Sequence, residues 1–290
     1  MLLSYDDIAA SCDLLTDVLE TMRAGGDADG EAAAGLALAG PLLNSGEVDA
    51  ARPLIDAALA HYRRTGDVHG FCRAGEHLAR WHLEVKDWDG VTTLGEEVLP
   101  LLRTLDRAPL TCGLPAQMAR AALYRGDLGE ARRAGIEAQQ VARDKGGPLD
   151  VAFASMVVAQ VHALTGDVYA SAACALTAAD EAGRQGERVV FLAGSRLVCA
   201  AAAVLGRARE AAVLNAALEA MHERVGMPFT ASTAFDRWIE QTIRAPLGPQ
   251  QLTACEAAGG QLELDELTDR LLALGSALRD EAPGPRRLAR

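Results

Sequence analysis

The sequence has few aromatic residues. Phenylalanine, tryptophan and tyrosine together make up 4% of its 290 residues, whereas half of the residues are apolar. β-Strands favour β-branched and aromatic side chains, and alanine is the best helix former. Because alanine dominates the apolar residues, the composition predicts an almost all-helical protein that packs through small side chains.

The sequence also has few lysines, and it lacks the motifs of common enzymes. Lys86 and Lys145 are its lysines, and neither completes the Gly-x4-Gly-Lys-Ser/Thr loop that binds nucleotide phosphates. His222 and Glu223 begin like a zinc-protease motif, but the second histidine is missing. Ser195 follows a glycine outside any Gly-x-Ser-x-Gly elbow. We therefore expect no enzyme, with no catalytic residue, no metal and no cofactor.

The sequence has fewer basic than acidic residues: 28 lysines and arginines against 40 aspartates and glutamates, which gives a net charge of −12. Such a surface repels phosphate backbones, so we expect no direct binding of nucleic acid. Long apolar runs are absent as well. The most apolar windows, residues 151–164 and 189–205, are too short to cross a membrane or contain Arg196. We expect them to be central buried helices and expect no membrane association.

The six cysteines form no Cys-x-x-Cys pair. They are Cys12, Cys72, Cys112, Cys174, Cys199 and Cys255. All lie among apolar, helix-forming residues, which indicates reduced, buried thiols. Residues 1–7 are acidic and contain no basic region ahead of an apolar run, so they do not read as a signal peptide. We expect a cytoplasmic location.

What the sequence does contain is a regular series of turns. Turn positions fall at residues 46, 86, 126, 166 and 206, and a second series lies midway at residues 26, 66, 106, 146, 186 and 226. Most of these positions are glycine, which tolerates the left-handed conformation that ends a helix. A turn about every 20 residues predicts helical hairpins with a period of about 40 residues. Such helices, about 25 Å long, must share one core to bury their apolar faces.

The pattern predicts an array of hairpins over residues 1–226, a helical capping segment over residues 227–280 and a disordered tail over residues 281–290. The predicted array helices are residues 1–21, 29–44, 48–64, 70–85, 88–105, 110–124, 128–144, 149–164, 168–184, 188–205 and 208–225. The predicted cap helices are residues 235–243, 250–258 and 264–278.

The repeat resembles the tetratricopeptide repeat. A small residue stands where the two helices of a hairpin would cross, at Ala39, Ala79, Ala119, Ala159 and Cys199. Tetratricopeptide units are shorter, about 34 residues, and HEAT-like units are about 40–47 residues. The turn chemistry and the small residues favour long tetratricopeptide-like hairpins. The resemblance implies a right-handed α–α superhelix in which the first helix of each hairpin lines a concave groove.

A more specific resemblance covers residues 207–274. It rests on AAVLNAALEA at residues 211–220, VGMPF at residues 225–229 and AAGGQLELDEL at residues 257–267. These stretches are similar to the end of the helical-repeat region in large bacterial transcriptional regulators: LuxR-type ATPase regulators, their MalT-like relatives and antibiotic regulators of the Streptomyces type. The resemblance implies a sensor or docking region that controls an ATPase or DNA-binding domain located elsewhere. The chain itself contains no nucleotide loop and no helix-turn-helix.

The groove positions implied by the tetratricopeptide resemblance combine guanidinium groups with aromatic and thioether surface. They are Arg73, Glu76, His77, Arg80, Gln117, Arg120, Tyr124, Phe153, Met156, Gln160 and Arg196, to which we add His162. Arginines bind carboxylate or phosphate and attract anions locally even in an acidic protein. The competing interpretation is an ordinary solvated helix face. His82 and His162, equivalent positions two repeats apart, are either packing histidines or a pair of groove ligands.

Three functions remain open at this point. The first is a non-catalytic module that binds a small anionic or amphipathic effector or a protein segment as part of a transcriptional regulator. The second is a stand-alone cavity protein that binds, sequesters or transforms a small natural product. The third is a structural adaptor that holds a peptide. An oligomer is possible in each case.

Overall fold

A computed structural model describes residues 8–102, 104–105, 113–224 and 234–282. Within these ranges the chain forms fourteen α-helices and no strand, so the predicted all-α class is confirmed. The array helices are α1 (Ile8–Gly25), α2 (Ala28–Ser45), α3 (Val48–Thr65), α4 (Val68–Glu84), α5 (Trp88–Leu102), α6 (Gly113–Arg125), α7 (Leu128–Lys145), α8 (Pro148–Leu164), α9 (Val168–Arg184), α10 (Arg188–Val204) and α11 (Ala208–Arg224). They are followed by α12 (Ala234–Arg244), α13 (Pro249–Gly259) and α14 (Leu264–Asp280).

The helix ends confirm the 20-residue spacing of the turns. Glycines with a positive φ follow the helices at Gly26, Gly46, Gly66, Gly126, Gly166, Gly186 and Gly206. Gly146 departs from the series, because its φ is −88° and its backbone is extended. Predicted and observed helices differ mainly at α1, which continues to Gly25, and at α5, which ends at Leu102. The predicted helical residues 1–7, 103, 110–112 and 225, the turn positions 106 and 226, and most of the predicted tail lie outside the described residues.

The residue after each turn position begins the next helix. Asp27, Asp67, Asp87, Asp127 and Asp167 each accept a hydrogen bond from the backbone N–H three residues later, at 2.9–3.1 Å. An aspartate at this position satisfies one of the free N–H groups in the first helical turn. A left-handed residue followed by a capping aspartate therefore ends one helix and begins the next within two residues.

Lys86 occupies a turn position where most repeats have glycine, and its φ is 61°. A residue with a Cβ pays about 1–2 kcal/mol for this conformation, whereas glycine adopts it freely but loses more entropy on folding. We expect Lys86→Gly to raise the free energy of unfolding by about 0.5–1 kcal/mol, measured by urea denaturation. Lys86→Ala removes the same charge but keeps the Cβ. An equal gain from both variants would show that charge, and not backbone strain, is responsible.

The chain divides into two compact units, one of residues 1–157 with 223–228 and one of residues 158–222 with 229–290. In the first unit, the first helices of successive hairpins pack side by side, since α4 contacts both α2 and α6. Ala39, Ala79 and Ala119 are completely buried, in agreement with small residues at the helix crossings. The first helices α2, α4 and α6 thus form one layer, called here the first-helix layer.

The second unit contains the helices predicted as a cap. α12 packs against α10, and α14 packs against α9 and α10. Leu267, Leu271, Leu274 and Leu278 of α14 are buried at spacings of three and four residues, which is one helical face. Gly275 lies on this face against the side chain of Leu176 in α9, so the absence of a Cβ allows the two helices to approach closely.

Candidate ligand-binding site

Four of the predicted site residues form a stripe along α4. Arg73, Glu76, His77 and Arg80 are spaced by three and four residues, which places them on one face of the helix. All four side chains are half-buried. This set of four residues is called the α4 stripe below.

The α4 stripe lies against glycines of the two neighbouring helices, and the glycine of α6 is the one that makes room for it. A Cβ at Gly113 of α6 would collide with the carboxyl group of Glu76. A Cβ at Gly40 of α2 would lie 3.6 Å from Cε1 of His77 and 3.9 Å from Nη1 of Arg80. The polar side chains of α4 therefore reach the helices on both sides within the first-helix layer.

Burial alters the protonation of two members of the α4 stripe. Burial raises the pKa of Glu76 to about 7. The guanidinium groups of Arg80 and Arg73 lower this pKa, Arg80 more strongly, and the carboxylate of Asp150 raises it further. Burial, together with Arg80 and Arg73, lowers the pKa of His77 to about 3. At neutral pH the imidazole is therefore uncharged and the Glu76 carboxyl is close to half-protonated.

The hydrogen-bonding capacity of the α4 stripe is only partly used. Arg80 donates a hydrogen bond to Oδ1 of Asn44 at 2.6 Å. Among the described residues, no carboxylate forms an ion pair with Arg73 or Arg80. The buried Nδ1 of His77 has no hydrogen-bond partner among the residues that the structure describes. Buried donors and acceptors are normally satisfied, so these groups are available to a ligand.

The site residues of α6 are held by their own helix. Arg120 donates to Oε1 of Gln117 at 3.2 Å and to the hydroxyl of Tyr124 at 3.4 Å. The ring of Tyr124 lies 5.2 Å from that of Trp88, centroid to centroid. Gln117 is only 1% exposed, so it belongs to the interior and not to an open surface.

The site residues of α8 in the first unit are Phe153, half-buried, and Met156, buried. The carboxylate of Asp150, in the first turn of α8, raises the pKa of Glu76, so this turn lies near the α4 stripe. Phe153 is one helical turn further along α8. α8 thus offers the α4 stripe a carboxylate from its first turn.

The remaining predicted site residues, Gln160, His162 and Arg196, belong to the second unit. Nδ1 of His162 lies 3.9 Å from Oδ2 of Asp167, the residue that caps the next helix. In the first unit, His82 and Asp87 make the same pair at 2.8 Å. The geometry therefore favours the packing interpretation of both histidines: each links the end of one helix to the start of the next. Gln160 is 8% exposed.

Arg196 is an interior residue in the structure, although the groove pattern placed it on an open face. It is 6% exposed. Its Nε lies 3.5 Å from Oδ1 of Asn215, and its Nη1 lies 3.9 Å from Oδ1 of Asp236. Burial lowers its pKa, and Asp236 and Glu219 oppose that change. Arg196 thus connects α10 with α11 and α12.

Sequence reasoning did not identify Gly40, Asn44, Gly113 and Asp150 as neighbours of the α4 stripe. A signal was nevertheless present for the glycines. Glycine inside a helix destabilises it by about 0.5–1 kcal/mol relative to alanine. In an alanine-rich chain, a helical glycine therefore indicates close approach of another group, as Gly113 does for the carboxyl group of Glu76.

Two open cavities of the first unit lie away from the α4 stripe, over α2 and between α1 and α3. One has a volume of about 400 Å³ and is lined by residues that include Arg23, Ala32 and Arg64. The other has a volume of about 590 Å³ and is lined by residues that include Cys12, Asp13 and Leu42. Both volumes are within the range of small-molecule sites.

The described cysteines Cys12, Cys72, Cys174, Cys199 and Cys255 form no disulfide bond, and Cys112 lies outside the described residues. Burial raises the pKa of Cys72 to about 11 and that of Cys199 to about 12, so both remain protonated at neutral pH. The described residues contain no cluster of three or more potential metal ligands. None of the described helices is both long and apolar enough to span a bilayer.

Fold and site together define an all-α helical-repeat protein with a polar stripe in its first-helix layer. No protein-family model matches the chain, and no curated protein matches it. Among solved structures, it is similar to BtubC (BKLC) from P. vanneervenii, at 17% sequence identity and a TM-score of 0.48. The match covers 81% of this chain and 94% of that chain. A likeness at this level supports no conclusion about function.

Proposed function

We propose that the chain is a non-catalytic helical-repeat binding module that recognises a small anionic or amphipathic effector, or an acidic protein segment, on its first-helix layer. The α4 stripe is the observation that carries this proposal. Arg73 and Arg80 flank Glu76 without forming an ion pair, and His77 is neutral beside them. Two guanidinium groups with free donors attract an anion.

A purely structural role explains the α4 stripe poorly. Partial burial of charged groups is costly unless they are paired, and apolar residues of similar volume usually stabilise such a position equally well or better. The surrounding layer is built from alanines and leucines, as at Ala39, Ala79 and Leu36. Four titratable side chains on one face are therefore better explained by recognition than by packing.

We further propose that this module is the sensor or docking region of a bacterial transcriptional regulator in the cytoplasm, with an ATPase or DNA-binding domain elsewhere. The support is the sequence pattern of residues 207–274, whose first stretch lies in α11 and whose last stretch lies in α13 and α14, while residues 225–229 lie outside the described part of the chain. A coding sequence that continues into either domain, or lies beside one, is expected. A neighbourhood of biosynthetic enzymes without a regulator would favour the cavity protein instead.

Arg73→Gln is expected to weaken binding of the cognate anionic ligand by about 10- to 100-fold, because a charge-assisted hydrogen bond contributes about 1.5–3 kcal/mol. Arg73 makes no ion pair, so the melting temperature should remain within about 2 °C of the wild-type value. Isothermal titration calorimetry with a panel of anionic metabolites and acidic peptides measures the effect.

Arg132→Gln is the matched control, since it removes the same charge from an exposed position of α7. It should leave binding unchanged. If no ligand of the panel is weakened by Arg73→Gln more than by Arg132→Gln, the α4 stripe is not the binding site.

The cavity-protein alternative is favoured by one observation, the two cavities over α2. Ala50 is exposed at the rim of the larger cavity, so Ala50→Trp narrows the cavity without disturbing the core. A small molecule that co-purifies with the protein and is lost in Ala50→Trp but retained in Arg73→Gln would support this alternative and contradict the primary proposal.

A further inference from the structure

We propose that the α4 stripe binds a carboxylate together with a proton: the ligand lies between the guanidinium groups of Arg73 and Arg80, and protonated Glu76 donates a hydrogen bond to it. This inference rests on the proposed function, because it specifies the ligand of the same site. The carboxylate of the ligand binds in its ionised form, and the proton that Glu76 takes up comes from the solvent.

The spacing of the stripe suits a small planar anion. Arg73 and Arg80 are seven residues apart, so their Cα atoms are separated by about 10 Å along the helix axis. Glu76 lies between them on the same face. Two guanidinium groups that approach from opposite sides can each donate to one oxygen of a carboxylate, leaving a lone pair for a third donor. Glu76 supplies that donor only when it is protonated.

The charges that surround Glu76 explain why a proton must accompany the ligand. From α4 it faces the cations Arg73 and Arg80, with neutral His77 beside it, and from α8 it faces the carboxylate of Asp150. From α6 it meets Gly113, which has no side chain. A ligand carboxylate placed beside ionised Glu76 would put two like charges in contact, and such pairs share one proton. Binding therefore favours the protonated form of Glu76.

The position of Glu76 makes this protonation easy near neutral pH. Burial already raises its pKa to about 7, so the free protein holds the proton in a large fraction of molecules. Below about pH 7 the site is ready for the ligand, and above it each binding event must take up a proton. The affinity for a carboxylate is therefore expected to decrease as the pH increases.

The test is calorimetric titration of the full chain with octanoate between about pH 6 and pH 8.5, in two buffers of different ionisation enthalpy. We expect the affinity to fall by about tenfold per pH unit above about pH 7, with uptake approaching one proton per octanoate. Glu76→Gln should bind octanoate without proton uptake and with an affinity independent of pH. Glu84→Gln changes an exposed carboxyl on α4 and should retain the wild-type profile.

The outcomes separate this inference from the proposed function. Octanoate binding without proton uptake, no octanoate binding at all, or inorganic phosphate binding at least as tightly would each overturn the carboxylate-and-proton assignment. The proposed function would survive all three results as long as some anionic ligand is weakened by Arg73→Gln. Octanoate binding that is unaffected by Arg73→Gln would contradict both the inference and the proposed function, because it would show that the α4 stripe is not the binding site.

Discussion

Gly259→Ala is expected to lower the free energy of unfolding by about 1–3 kcal/mol, the usual range for overpacking. A Cβ at this position would overlap the carbonyl oxygen of Val213 and lie 2.9 Å from the backbone nitrogen of Ala217. Both atoms belong to the backbone of α11, so they cannot move away as a flexible side chain would. α13 would have to separate from α11. Urea denaturation of the full chain, followed by circular dichroism, measures the loss.

The neighbouring glycine provides the control. The nearest atom to a Cβ at Gly260 is the carbonyl oxygen of Glu256, at 3.5 Å, and φ is −63°. Gly260→Ala is therefore expected to change the free energy of unfolding by less than about 0.5 kcal/mol. If both variants lose the same stability, the close contact between α13 and α11 does not explain the effect.

The hairpin spacing was predictable because it is encoded locally. A left-handed residue followed by a capping aspartate, as at Gly66 and Asp67, is a signal that the sequence shows directly. Lys86 keeps the left-handed conformation without glycine, so the repeat imposes it even where the residue disfavours it. Gly146 does the reverse, since its extended backbone conformation shows that a glycine permits a left-handed turn without requiring one.

The α4 stripe was predictable for the same local reason, since residues three and four apart share a helix face. Which faces remain accessible was not predictable, because that depends on neighbouring helices far away in the sequence. Gln117 and Arg80 occupy groove positions of successive repeats, yet Gln117 is 1% exposed and Arg80 is half-buried. Arg196 is buried, and its guanidinium lies 3.9 Å from the carboxylate of Asp236, which is 40 residues further along the chain in α12.

The contact of Arg196 with Asp236 leads to the second large effect. Asp236→Ala is expected to lower the free energy of unfolding by about 3 kcal/mol, because it removes the carboxylate that most strongly favours the charge of a buried guanidinium. The value is at the lower end of the range for buried pairs, since the side chain of Asp236 is 27% exposed whereas that of Arg196 is 8% exposed. Urea denaturation at neutral pH measures the change.

The double variant Arg196→Met/Asp236→Ala distinguishes the charge from the packing. An apolar side chain of similar length fills the position of Arg196 without requiring a counter-ion, so the double variant should recover at least about half of the stability that Asp236→Ala loses. A double variant no more stable than Asp236→Ala alone would mean that α12 depends on the shape of Asp236 and not on its charge. Because Arg196 is an interior residue of the second unit, its substitution should also leave carboxylate binding at the α4 stripe unchanged.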